Sequence, residues 1–310
     1  MNATTKHTLD ERSMHSEGRG FRWVMLALAL AHLAFSAVSG IRPEHILADG
    51  LIAGLPWIGP RPQSFVRGVL PVWLTGVLVD AQRYLPLLGP VHTDDMWKLE
   101  VSLFHAPGGI PWAEWLNARP VAVLDLFCGA SYALYLYQFL AVVVFFYVVG
   151  ERQRCTSFVW ALFASNALGA LIYMLLPVAP PWYIIEHGFG PAVMSTAGSA
   201  AGCARFDALL GIHYFQGFYA RNPNVFGAMP SLHVAFPLIV TLYTWNRGLR
   251  WRIPCVLFTA LVAFSAVYLA HHYILDLLAG VAVAFVCWWG CERLFGERKL
   301  PEPGLQGARG

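Results

Sequence analysis

Charge is what this chain has least of. Asp, Glu, Lys and Arg together make up 13% of its 310 residues, about half the share found in soluble domains. The net charge of +3 is small and scattered, which argues against nucleic acid as a partner. Stretches without any cation are long, and none occurs between Arg154 and Arg205. Six cysteines form no disulfide framework. Four lie inside apolar runs, where a thiol behaves as a small hydrophobe. Cys287 and Cys291 share a helix face, yet without another soft ligand nearby they make a poor zinc site. There is no internal repeat and no separate soluble domain. No small-residue cleavage pattern precedes Arg42, so the first apolar run is expected to be a retained span.

What is present is apolar length. Hydrophobic residues make up 57% of the chain and the mean hydropathy is +0.53, the composition of an integral membrane protein. Runs long enough to cross a bilayer fall at about 23–41, 121–149, 156–176, 231–246, 253–271 and 274–292. The 231–246 run is short and is expected to extend at either end. A further run, 68–79, lies between Arg67 and Asp80 and contains Pro71; its length suits an interfacial or re-entrant segment. The expected fold is therefore an all-α bundle of six transmembrane helices with one extra segment.

Basic residues orient it. Lys6, Arg12, Arg19 and Arg22 precede the first span; Arg152 and Arg154, then Arg247, Arg250 and Arg252, occupy short connections; Arg293, Arg298 and Lys299 lie in the tail. The positive-inside rule places all of these in the cytoplasm, which six spans satisfy and seven do not. The expected divisions are a cytoplasmic arm 1–22, a first span with an extracytoplasmic or interfacial region 23–120, a catalytic membrane core 121–292, and a cytoplasmic tail 293–310. The loop 177–230, with a small and mobile middle at 195–202, and the junction at 270–274 then share the extracytoplasmic side.

Two strings carry the chemistry. Ionisable groups at membrane depth are costly and persist mainly where they function. One turn of helix separates His272 from Asp276, so the carboxylate can fix the imidazole tautomer and leave a nucleophilic nitrogen. Upstream, Pro230 and Ser231 open a helix whose free N–H groups and dipole suit a phosphate, and Ser231 adds a hydroxyl. His233 sits in the same turn. The set describes phosphoryl transfer through a phosphohistidine: His272 as nucleophile, Asp276 orienting it, His233 as general acid and then base. No metal or cofactor is required. A lone histidine at a span end is more often packing, and that is the reading for His271. Ser265 stays open between helix packing and site support. Pro180, Pro181 and Trp182 read as structural, Asp125 as solvated, and Asp80 and Arg83 receive no chemistry.

Pro230-Ser231-Leu232-His233, followed by Ser265-x6-His272-x3-Asp276, resembles the second and third motifs of the type 2 phosphatidic acid phosphatase superfamily. More narrowly, Gly227 to His233 and Tyr268 to Tyr273 resemble the inositol phosphorylceramide synthase branch, as does Pro177 to Tyr183. The similarity covers roughly 120–292. It implies a membrane phospholipid donor and a lipid or other alcohol acceptor. Ala266 stands where the superfamily has arginine, and its first basic motif is missing. Arg221, Arg205 or a residue of 42–120 must supply the phosphate clamp, with Arg221 preferred because it precedes the Pro230 turn. Fewer cations favour transfer of an inositol-phosphate-like headgroup over hydrolysis of a lipid phosphate or polyprenyl diphosphate, since a phosphodiester carries less charge. A proton-coupled transporter is the reading from another class. Polar groups clustered at one face, without paired broken helices, argue against it.

Overall fold

A computed structural model describes residues 3–296. Arg298 and Lys299 of the tail lie outside the described residues, as do the side chains of Lys6 and Arg12. Three helices open the chain: α1 (Ala3–Ser39), α2 (Pro43–Ile58) and α3 (Pro60–Ala81). Trp57 near the end of α2 meets Trp23 near the start of α1, while Arg42 before α2 pairs with Asp80 near the end of α3. The three therefore run antiparallel, side by side. The surface segment that follows holds α4 (Asp94–Leu103), a two-residue hairpin of β1 (His105–Ala106) and β2 (Ile110–Pro111), and α5 (Trp112–Asn117).

The core begins with α6 (Ala122–Val148) and α7 (Arg152–Leu175). The long loop after α7 folds into α8 (Pro181–His187), α9 (Cys203–Leu210) and α10 (Tyr214–Tyr219). Then come α11 (Leu232–Thr244), α12 (Leu249–Tyr268) and α13 (Ile274–Phe295). Phe146, Phe158, Ile239 and Ala284 meet in the apolar core of α6, α7, α11 and α13. At one end of the bundle Arg247 pairs with Glu151, Gln153 donates to Gly296 O at 2.9 Å, and Tyr147 donates to Arg61 O at 3.3 Å. The basic connections are thus gathered at that end, and the loops 82–120, 176–231 and 269–273 lie at the other.

Six helical stretches among the described residues are long and apolar enough to span a membrane: Gly18–Val38, Pro60–Tyr84, Ala122–Val148, Arg152–Leu175, Leu249–Tyr268 and Ile274–Phe295. The protein is a multi-pass, all-α membrane bundle. Three expectations need correction. The 68–79 run is part of a continuous 22-residue helix, because its flanking polar residues find partners: Gln63 donates to Gly18 O at 3.1 Å, and Asp80 meets Arg42 and His45. Pro71 is tolerated inside it, with Thr75 Oγ1 donating to Pro71 O at 2.9 Å. Since α2 and α3 enter as an antiparallel pair, the ends at which the later helices meet are unchanged. The 231–246 run, in turn, is shorter than expected. The 13-residue α11 is enclosed by α6, α7, α12 and α13, so protein rather than lipid surrounds it. The stretch 195–202, expected to be mobile, is tied down: Gly202 N–H donates to Leu269 O at 3.0 Å, and a Cβ there would lie 2.7 Å from Leu269 Cα.

Candidate active site

Ser231 is the N-cap residue of α11, not part of its first turn, and Pro230 precedes the helix. Two contacts place this entry: Tyr173 donates to Pro230 O at 2.8 Å, and Ser231 N–H donates to the Asp276 backbone carbonyl at 2.9 Å. Gly280, one turn beyond Asp276, lets the chains approach, since a Cβ there would sit 2.3 Å from Ser231 O. The α11 and α13 N-termini are thereby locked together, with His233 in the first turn of α11.

The turn between α12 and α13 carries the other imidazoles. Ala270 takes a left-handed conformation at φ 59°, and both His271 N–H and His272 N–H donate to Ala266 O at 3.0 Å. His272 therefore lies before α13 and not on it, which corrects the one-helix reading. Its partner is met all the same. Asp276 bends back to cap the helix, with Tyr273 N–H donating to Oδ2 at 2.8 Å and His272 Nδ1 at 3.4 Å from the same oxygen. On the far side, His272 Nε2 is 3.0 Å from His233 Nδ1. With Nδ1 of His272 donating to Asp276, its Nε2 lone pair faces His233 Nδ1–H, an assignment of protons that follows from the partners. Ser231 Oγ and Asp276 Oδ1 are buried and have no hydrogen-bond partner among the described residues.

Groups not anticipated from the sequence hold this pair. Tyr132 of α6 stacks on His233 with centroids 4.2 Å apart and planes 10° off parallel; His271 and Tyr219 continue the stack at 5.3 Å and 4.4 Å. His271 also contacts Ala200 O at 3.2 Å, a packing role as expected. Ser265 bonds Ser131 at 2.9 Å, tying α12 to α6. Beneath the turn that carries His272, Glu100 of α4 is fully buried and accepts Ile274 N–H at 2.9 Å and Leu275 N–H at 3.1 Å. One carboxylate thus grips two of the three backbone amides between His272 and Asp276.

Burial, opposed by those two amide donors, pushes the Glu100 carboxyl up to about 7. A carboxyl whose pKa is raised on folding leaves the native state holding more protons than the unfolded chain between about pH 4.5 and 7, so stability falls as pH rises through that window. Glu100→Gln is expected to flatten this dependence. The thermal midpoint of the wild type should drop by several degrees between about pH 5 and about pH 8, while that of the variant should change little. Equal slopes would remove Glu100 as the source.

His233, His271 and His272 open onto a cavity of about 940 Å³. Arg221, Asn222 and Asn224 line it near the histidines, and Arg42, His45 and Asp80 line it from the α2–α3 side. Apolar side chains continue it along the bundle, Leu136, Phe139 and Val143 of α6 facing Val66, Val69 and Val72 of α3. Arg205 is elsewhere. Its Nε donates to Asp125 Oδ1 and its Nη1 to Asn117 Oδ1, both at 2.7 Å, and it borders a separate cavity of about 400 Å³. The Arg205 partner Asp125 is buried and also accepts from Tyr268 at 2.9 Å, so it is not solvated as expected. A carboxylate in an apolar helix needs a cation, and Arg205 is the one within reach.

Residues 95–290 match the model of the PAP2 superfamily. The chain belongs to that superfamily. It is 32% identical over 289 residues to phosphoinositol dihydroceramide synthase of Bacteroides thetaiotaomicron, covering 89% of this chain and 94% of that one. It is 31% identical over 189 residues to the inositol phosphorylceramide synthase catalytic subunit of Schizosaccharomyces pombe, and 34% over 165 residues to inositol phosphorylceramide synthase of Candida albicans. The aligned parts are 60% and 52% of this chain but 44% and 35% of the fungal proteins. No solved structure matches. As a PAP2 enzyme the protein carries its two histidines and Asp276 inside the matched segment, whereas α1–α3 lie outside it.

Proposed function

We infer that this PAP2 enzyme transfers an inositol-phosphate-like headgroup from a membrane phospholipid to a lipid alcohol through a phosphohistidine. The observation that carries the reading is the line Asp276–His272–His233, with contacts of 3.4 and 3.0 Å, opening on a cavity that runs from polar to apolar. The phosphodiester of the donor approaches from the cavity and displaces the His233–His272 contact. His272 Nε2 attacks phosphorus, the bond to the diacylglycerol oxygen breaks, and His233 protonates that oxygen. The headgroup stays bonded through phosphorus to His272. His233 next removes the proton of the acceptor hydroxyl, whose oxygen attacks phosphorus, and the P–N bond breaks. The scheme calls on no metal ion. The N-cap Ser231 hydroxyl and the α11 dipole face the phosphoryl oxygens.

Charge supports transfer over hydrolysis of a terminal phosphate. Ala266 stands in place of a clamp arginine, Arg205 is committed to Asp125, and Arg42 is neutralised by Asp80. Arg221 remains on the cavity without an acidic partner in ion-pair range among the described residues. One cation suits a diester of single charge better than a phosphate of nearly two. Arg221→Ala is expected to lower headgroup transfer about tenfold, less than the roughly 10²–10³ of a buried oxyanion donor because Arg221 is exposed. Unchanged turnover at equal protein levels would remove it from the clamp. The positive-inside rule, applied to the basic end of the bundle, puts both termini in the cytoplasm and the site on the extracytoplasmic side.

The decisive experiment supplies purified protein with labelled phosphatidylinositol and a ceramide-like acceptor. Label in a new inositol-phosphate lipid supports the transferase. Label released as free phosphate, with no lipid product, supports a phosphatase instead.

A further inference from the structure

The reaction has an asymmetry that a site must meet. Diacylglycerol leaves and an acceptor arrives, but the headgroup remains on His272 through both half-reactions. A group that holds the headgroup in place therefore acts twice, while a group that holds either hydrocarbon part acts once. The PAP2 match leaves α1–α3 unassigned, and these helices carry an unusual density of polar side chains for a membrane segment.

Arg42 Nη2 donates to both oxygens of Asp80, at 2.6 and 2.7 Å, and His45 Nε2 lies 2.8 Å from Asp80 Oδ2. Arg42 also donates to the imidazole, from its backbone N–H to His45 Nδ1 at 3.4 Å and from Nε to His45 Nε2 at 2.9 Å, so the ring is held between the guanidinium and the carboxylate. Behind this group, His32 packs on His45 with ring centroids 5.3 Å apart, and Asp49 accepts from His32 at 2.9 Å and from Trp73 at 2.7 Å. Helix packing alone would bury such groups away from any cavity. Arg42, His45 and Asp80 instead line the cavity that holds His233 and His272. Arg83, one turn beyond Asp80, donates to the Arg221 carbonyl at 3.5 Å, so this wall adjoins the loop leading to Ser231.

An independent observation comes from α7. Asn166 is fully buried and lines the same cavity. Its Nδ2 donates to Thr75 O at 3.1 Å, which fixes the amide orientation, and its Oδ1 has no hydrogen-bond partner among the described residues. A buried acceptor left unpaired is costly; a ligand hydroxyl would satisfy it. Thr75 and Asp80 are five residues apart on α3, a rise of about 7–8 Å. Acceptors at both heights of one wall, with a guanidinium between ligand and helix, suit a ring bearing several hydroxyls.

We propose that Asp80, Arg42 and His45, together with Asn166, bind the hydroxyl groups of a polyol headgroup and select it over headgroups without hydroxyls. Asp80 and Asn166 accept from the polyol, and Arg42 donates to it. The inference rests on the headgroup-transfer reading above.

The test uses the purified full chain, a long-chain alcohol acceptor, and two donors: phosphatidylinositol and phosphatidylethanol, a diester whose headgroup has no free hydroxyl. The wild type should transfer the inositol phosphate with the higher kcat/KM. Asp80→Asn should lower kcat/KM for phosphatidylinositol about tenfold and leave phosphatidylethanol transfer unchanged, collapsing the preference. Asn166→Ala, which removes the unpaired oxygen without touching the Arg42 pair, should act in the same direction and serves if Asp80→Asn does not accumulate. Equal losses on both donors, or an unchanged preference, would show a packing role and overturn the inference while the transfer reading stands. A wild type that transfers neither headgroup overturns the transfer reading, and the inference with it.

Discussion

His272→Gln is expected to abolish headgroup transfer, by about 10³-fold or more in kcat, with the protein still present in membranes at normal levels. Glutamine approximates the size and polarity of the imidazole but offers no nucleophilic nitrogen at the position 3.0 Å from His233. A loss of 10³-fold corresponds to about 4 kcal/mol of barrier, more than the packing change of one turn residue supplies. An acid quench of the wild type during turnover should capture label on His272 and on no other side chain, and the variant should capture none. Residual transfer above a tenth of the wild-type rate would mean that another group attacks phosphorus. Asp276→Asn belongs to the same experiment. Oδ2 orders Tyr273 N–H as well as His272 Nδ1, so the amide keeps the cap through its oxygen but loses the charge that steadies the imidazolium, and about 10²–10⁴ in rate should go with it.

Gly280→Ala is expected to cost about 10²-fold in kcat while leaving the helical content intact. The methyl group would meet the Ser231 carbonyl at 2.3 Å, its carbon at 3.1 Å and its nitrogen at 3.3 Å. These are backbone atoms that cannot rotate away, so α11 and α13 must separate by about an ångström, and overpacking of this kind costs about 1–3 kcal/mol. The same separation stretches the Ser231–Asp276 backbone bond and draws His233 from His272. Misplacement of about 1 Å in a reacting pair accounts for the expected loss. Circular dichroism with the labelled-lipid assay distinguishes the outcomes: wild-type rates in Gly280→Ala would show that the joint between these helices tolerates movement.

Both variants probe one site, but only His272 was visible in the primary structure. His233, His272 and Asp276 stand out because imidazole and carboxylate are rare in apolar runs and recur here at helical spacing. The fold brings the three side chains together, though their local geometry differs by half a turn from the one-helix expectation: His272 precedes α13, and Asp276 reaches it by capping the helix from its third position. Glu100 and Gly280 had no such signal. A glutamate in a surface helix looks solvated until α13 is docked above it, and a glycine in a span looks like any small residue until the Ser231 backbone lies across it. Tyr132 was hidden among the other aromatics of α6. The length of the 68–79 run misled for a related reason, since polar residues at its ends are offset by partners 35 to 45 positions away, and no window of local hydropathy includes them.

The amino-acid sequence by itself determined that this protein lives in a membrane, that its bundle is helical, and that two histidines and an aspartate are the candidates for its reactive set. These follow from composition and short-range spacing, which act within one helix. Only the tertiary structure decided which cations and carboxylates lie on the cavity beside the histidines. It withdrew Arg205 to Asp125, kept Arg221 on the cavity, and brought Asp80 and Asn166 to face it. The reason is electrostatic: a charge in a low-dielectric bundle is paired with whatever the fold places within a few ångströms, and that neighbour is set by helix packing rather than by position along the chain.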